Sequence, residues 1–143
     1  MEIISAPGYR ESIVNLLASE HLPVDDLPQT LEYFMIAVHE GNVTGVAGLE
    51  IYGNYGLLRS LAVKSSFRNT GIADKLVKQL ETIAISKGLK AICLLTETAP
   101  DYFIRKGYES INRNDVPEAI QQSTEFSYVC PKSAIVMKKE LTK

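Results

Sequence analysis

Residues Leu57 to Gly88 constrain this chain most. An apolar run, Leu57-Leu58-Arg59-Ser60-Leu61-Ala62-Val63, leads into Arg68-Asn69-Thr70-Gly71-Ile72-Ala73 and then an amphipathic stretch closed by Gly88. The pattern reads as a buried strand, a tight turn and a helix whose first turn is left open. The first N–H groups of a helix lack carbonyl partners within it, and the helix dipole puts positive charge there, so such a turn suits a phosphate. Gly71 lets the backbone approach an anion with no side chain in the way. Ala73 keeps the turn slim, and Arg68 adds a cation to the rim. A pyrophosphate-bearing ligand is the first expectation, and a plain strand-to-helix turn is the alternative. Neither G-x-x-x-x-G-K-[ST] nor G-x-G-x-x-G occurs in the chain, so the better-known phosphate loops are not indicated.

The rest of the sequence sets the context. A chain of 143 residues is most simply one domain, here 1–143, and it can bury a core without a disulfide or metal staple. Net charge is -2 with no basic cluster, which argues against a nucleic-acid partner. No apolar stretch reaches bilayer-spanning length, and Met1-Glu2-Ile3-Ile4 lacks the regions of a secretory signal. A cytoplasmic protein without a membrane partner is expected. Cys93 lies in an apolar strand pattern and reads as a packed small hydrophobe, while Cys130 falls in a loop. Two cysteines and two histidines at scattered spacing give no metal signature.

Periodicity predicts a strand over 1–6, a helix over 9–20, and an antiparallel meander of strands over 33–39, 43–52 and 55–63. Gly53-Asn54 makes the tight turn between the last two. A helix over 72–86, an almost wholly apolar strand over 91–96, a short helix over 99–106, and strands over 108–111 and 134–139 follow, with a helical turn over 116–122 before the last. The strands flanking the 72–86 helix should lie parallel with a right-handed crossover. That places Gly71 beyond the C-terminal end of a strand, where α/β sheets bind ligands.

At this point the chain resembles the GCN5-related N-acetyltransferases over nearly its whole length. That family's phosphate motif is Arg or Gln, two residues, Gly, one residue, Gly or Ala, and Arg68-Asn69-Thr70-Gly71-Ile72-Ala73 follows it. Leu61-Ala62-Val63 fits the strand that pairs with the pantetheine arm, and Phe103-Ile104-Arg105-Lys106-Gly107-Tyr108 fits a later helix. The resemblance implies an α+β fold with a mixed, mostly antiparallel sheet, helices on both faces, and a parallel pair around the cofactor crossover. It implies acetyl-CoA as cofactor, held by Leu61, Ala62 and Val63 and by the backbone from Arg68 to Ala73. A narrower resemblance, carried by Leu57–Val63, Leu94-Leu95-Thr96-Glu97-Thr98-Ala99, Glu125-Phe126 and Cys130-Pro131-Lys132-Ser133-Ala134, points to acetyltransferases associated with arsenic resistance. It implies as substrate the amine of a small anionic molecule, an amino acid or a phosphinate or arsinate analogue.

Acetyl transfer needs the amine deprotonated and the thiolate reprotonated. A two-residue turn at Gly53-Asn54 puts Tyr52, Glu50, Leu57 and Arg59 on one face, with Glu50 and Arg59 diagonal neighbours. Two readings stay open: a buried ion pair fixing the sheet, or a functional pair in which Glu50 is the base and Arg59 clamps an anionic group of the substrate. The acid is open too. Phe103 occupies the position where many family members carry tyrosine, and it is expected against the pantetheine or the sheet. Tyr102 beside it, or water, is left to donate the proton. Glu97, at the end of the central strand, is expected to contact substrate. His39 reads as solvated and His21 as a helix-end residue. The region from Glu118 to Lys132 reads as one wall of the acceptor pocket. Exposed strand edges make a homodimer plausible. Rival readings are a non-catalytic acyl-CoA sensor and an enzyme acetylating a protein or peptide.

Overall fold

The apolar runs become strands nearly where the sequence places them. A computed structural model describes residues 2–22, 24–25, 27–96, 99–122 and 134–141. The chain order is β1 (Glu2–Ser5), α1 (Arg10–Ser19), β2 (Phe34–His39), β3 (Asn42–Tyr52), β4 (Tyr55–Val63), α2 (Ile72–Ser86), β5 (Ala91–Thr96), α3 (Pro100–Arg105), β6 (Glu109–Ser110), α4 (Glu118–Gln121) and β7 (Ile135–Glu140). The sheet has seven strands in the order β1-β2-β3-β4-β5-β7-β6. β4 and β5 pair in parallel, Tyr55 with Ala91 and Leu57 with Cys93, and the other recorded pairings are antiparallel. This is the mixed α+β sheet that the sequence implies. The bounds of β4, α2 and β5 agree with the expected ones. β6 shrinks to two residues, and β7 enters the sheet between β5 and β6.

Two compact units make up the chain. The first comprises Met1–Leu49 and Arg59–Ile83. In it, Ile13, Leu16 and Leu17 of α1 are buried with Leu31, Phe34, Ile36, Val46 and Ala62. Each full burial of such a side chain is worth about 1.5–3 kcal/mol. Gly48 is the register partner of Phe34, and a Cβ on it would stand 2.3 Å from Phe34 Cζ, so the phenyl ring fills the space of the missing side chain. Val46 faces the α1 cluster, whereas Gly45, one position along the strand, faces Ile72 and Leu76 of α2. Adjacent residues of a strand point to opposite faces, so β3 carries α1 on one side and α2 on the other. α1 closes at His21, whose φ of 60° is left-handed. The Leu22 N–H donates to the Leu17 carbonyl (2.9 Å) and the His21 N–H to that of Ala18 (3.1 Å), the bond pair of a Schellman motif built without glycine.

The second unit comprises Glu50–Leu58 and Ala84–Lys143. β5 is its central strand, buried from Ala91 to Leu94. Leu57, Cys93, Val116, Ile120 and Val136 form its core, with Tyr52 and Tyr55 packed at the edge. Gly88 ends α2 as expected, with a φ of 73° and the Leu89 N–H donating to the Ala84 carbonyl at 3.0 Å. Gly107 ends α3 in the same way, the Tyr108 N–H reaching the Phe103 carbonyl at 3.0 Å. Tyr108 is therefore the buried residue of a helix stop, not the start of a strand.

Candidate functional site

The segment from Val63 to Lys75 is built of short, locally satisfied turns. Past β4 the Lys64 N–H donates to the Thr44 carbonyl (2.8 Å), and a 3-10 turn over Ser65–Phe67 follows. The Arg68 N–H is taken by the Ser65 carbonyl (3.4 Å), and the Thr70 hydroxyl by that of Phe67. Asn69 (φ 63°) and Gly71 (φ 84°) both adopt the left-handed conformation, on either side of Thr70. The bond from the Lys75 N–H to the Gly71 carbonyl (3.2 Å) opens the α2 ladder. The backbone amides of the preceding turn lie ahead of that ladder, at the positive end of a helix spanning Ile72–Ser86. A Cβ on Gly71 would meet nothing within 4 Å, so the approach to this backbone is open. The arrangement fits a phosphate group. Ile72 is buried (3% exposed) and anchors the turn, whereas Arg68 to Gly71 are exposed.

Charges at this turn are mixed. The Arg68 guanidinium is ion-paired with the carboxylate of Glu20, at the end of α1. Asp74 lies in the first turn of α2. His39 stands beside the segment, its ring 5.3 Å from that of Phe67 and its Nε2 3.9 Å from Glu40 Oε1.

On β4, Leu61 and Val63 are half-buried and Ala62 is packed into the α1 cluster. Ser60 just before them has a φ of 60°, a left-handed residue inside a strand. Its hydroxyl accepts from Arg59 Nε at 3.0 Å. Arg59 is only 3% exposed. A guanidinium so enclosed must find acceptors for its donors, and every buried side-chain nitrogen and oxygen among the described residues has a partner.

In the second unit, Tyr52 OH donates to Glu50 Oε1 at 3.2 Å. These two side chains share a face, as the alternation predicts. Phe103 is 5% exposed and lies in an aromatic row, its ring centroid 5.1 Å from that of Tyr102 and 5.5 Å from that of Tyr108. Tyr102 is half-buried, with Lys106 Nζ 5.5 Å from its ring. Thr96 acts as a turn residue, its Oγ1 accepting from the Ala99 N–H at 3.1 Å. Glu97 lies outside the described residues, as do Thr98, Ser123, Thr124 and Cys130.

The structure thus gathers Leu61, Ala62, Val63 and Arg68–Ala73 in one unit with Arg59, and holds Glu50, Tyr102 and Phe103 in the other. Sequence reasoning missed Glu20 and Ser60. No local pattern links Glu20 to a residue 48 positions away, and serine carries no signature of a left-handed strand position.

A parallel strand pair joined through a crossover helix, in a mostly antiparallel sheet, defines the fold as α+β. The chain belongs to the acetyltransferase (GNAT) family, whose model matches residues 9–108. It is 31% identical over 98 residues to an uncharacterized N-acetyltransferase of Chlorobaculum tepidum, covering 68% of this chain and 63% of that one. It is 29% identical over 94 residues to an amino-acid acetyltransferase of Ralstonia nicotianae, covering 64% of this chain and 21% of that one. The chain therefore spans less than two thirds of the length of either relative. A Mycobacterium tuberculosis protein solved in complex with CoA shares the fold, with a TM-score of 0.85 at 22% identity over 99% of this chain and all of the other.

Proposed function

We propose that this chain is an acetyl-CoA-dependent N-acetyltransferase that acts on the amine of a small, anionic, amino-acid-like substrate in the cytoplasm. The observation that carries the reading is the pair of left-handed residues, Asn69 and Gly71, that opens the first turn of α2 over unobstructed space. Acetyl-CoA supplies the acetyl group as an activated thioester. Backbone amides from Asn69 to Ala73 hold its pyrophosphate, with the Arg68 side chain at the rim. Main-chain groups of Leu61, Ala62 and Val63 serve the pantetheine arm.

Glu50 takes the proton of the substrate ammonium, and the hydroxyl of Tyr52 keeps that carboxylate oriented. Tyr102 is the candidate to return a proton to the leaving thiolate, whereas Phe103 serves by packing. Arg59 supplies positive charge for an anionic group of the substrate. Its burial favours a second reading for that residue alone, a cation that fixes β4. The amino-acid acetyltransferase among the relatives supports the substrate class. Within that class, amino acids carrying a phosphinate or arsinate are the finer proposal, with Glu97 as a further contact. We take 1–143 as one N-acetyltransferase domain and a homodimer as its assembly.

Calorimetry with coenzyme A and acetyl-CoA, followed by a thiol-release screen over amino acids and their phosphinate and arsinate analogues, tests this. Uptake of the cofactor and amine-dependent release of free thiol are expected. Absence of cofactor binding overturns the reading, and binding without release on any amine favours an acyl-CoA sensor.

A further inference from the structure

Glu20 occupies a fixed place. Its backbone N–H is taken by the carbonyls of Leu16 (3.2 Å) and Leu17 (3.1 Å), which pins it to the last turn of α1 immediately before left-handed His21. Its side chain is 20% exposed, that of its partner Arg68 is 55% exposed, and the two form an ion pair. The carboxylate is thus delivered by a helix end, not by a freely swinging surface chain. It meets Arg68 one residue before the left-handed Asn69 and three before Gly71.

A carboxylate and a phosphate present the same thing to a guanidinium, namely two acceptor oxygens bearing negative charge. We propose that Glu20 is a resident counter-anion of Arg68, which a phosphate of the incoming cofactor displaces, and that Glu20 thereby lowers the affinity of the turn for that cofactor. The inference rests on the cofactor reading above. On binding, the Arg68 donors pass from the Glu20 carboxylate to a phosphate oxygen. Glu20 is a positioning residue in this scheme. It acts on the cofactor through Arg68 and makes no contact with the reacting atoms.

Calorimetry with coenzyme A on the wild type, Glu20→Gln, Arg68→Gln and the double variant tests it. Glutamine keeps the length of the side chain, and the thermal midpoint of each variant reports that the fold is intact. Glu20→Gln should bind coenzyme A about two- to fivefold more tightly, the span of an exposed ion pair. Arg68→Gln should bind it more weakly, and in that background Glu20→Gln should change the affinity by less than about twofold. An unchanged or weaker affinity of Glu20→Gln overturns the role of Glu20 and leaves the cofactor reading standing. A full gain that persists without Arg68 overturns displacement through that residue. No binding by the wild type overturns the cofactor reading itself.

Discussion

Gly45 lies so close under Ile72 that a Cβ at position 45 would stand 2.8 Å from Ile72 Cγ2, with Leu76 Cδ1 at 3.2 Å and the Ala62 carbonyl oxygen at 3.5 Å. A β-branched side chain in a helix has little rotamer freedom with which to retreat. The seat of the first turn of α2 on β3 is therefore set by the absence of a side chain.

Gly45→Ala should cost about 1–3 kcal/mol of stability, as overpacking does, and should weaken coenzyme A binding by shifting the amides that follow Gly71. Ile72→Ala added to Gly45→Ala should restore part of the affinity. Denaturant unfolding and calorimetry read the two effects separately. Wild-type affinity in Gly45→Ala would show that the seat of α2 does not govern the amides.

Gly71→Ala isolates conformation from space. Its Cβ would touch nothing, and only the φ of 84° resists it. The expected stability cost is about 1–2 kcal/mol. The expected loss of coenzyme A affinity is about tenfold, because a residue that relaxes out of the left-handed region turns its peptide away from the ligand.

In the second unit the Tyr52 hydroxyl donates to Glu50 Oε1 at 3.2 Å. Glu50→Gln should lower turnover by about 10²–10⁴, the worth of a positioned base, at unchanged coenzyme A affinity. Tyr52→Phe should lose less, since one hydrogen bond is worth about 0.5–1.5 kcal/mol. Normal Glu50→Gln rates across pH would remove Glu50 from the mechanism.

Burial pushes the thiol of Cys93 up to about 11, against a lowering by Lys138 and with a lesser push upward from Glu140. Between the ordinary thiol value of 9.0 and about 11 the unfolded chain is ionised and the folded chain is not. Unfolding then releases a proton, so the stability present below pH 9 is lost as pH rises through that window, by up to about 3 kcal/mol. Cys93→Ala should flatten this decline while lowering stability at neutral pH. Equilibrium unfolding at a series of pH values, with and without the substitution, reads the difference. An equal slope in both proteins would exclude the thiol as its source.

His21 holds a left-handed conformation that glycine adopts without strain. His21→Gly should stabilise the chain by about 1 kcal/mol, because it removes the clash of a Cβ at a helix stop. A lowered thermal midpoint would mean that the imidazole makes a compensating contact.

The sequence was most legible where one period ran unbroken. Leu76, Val77 and Leu80 recur at helical spacing and Gly88 stops them, so α2 was read to its last residue. β5 is a short, almost wholly apolar run and is as fully legible. The strand-turn-helix from β4 through Gly71 into α2 is legible from Gly71 and its setting, whereas the left-handed Asn69 carries no signal in the sequence. Less legible were features whose cause lies far along the chain. Gly45 and Gly48 are small because of Ile72 and Phe34. The partner of Arg68 comes from the end of α1. Tyr108 follows Gly107 and reads as the first residue of a strand over 108–111, yet the cap of α3 draws it inward.

The left-handed Ser60 has a practical consequence for redesign of β4. Odd–even alternation of side chains belongs to an extended backbone, and the left-handed φ of Ser60 interrupts it. A graft onto this strand should therefore not assume one unbroken alternation from Leu57 to Val63. Libraries for this strand are better built as two short blocks, with position 60 restricted to Ser, Gly, Asn and Asp.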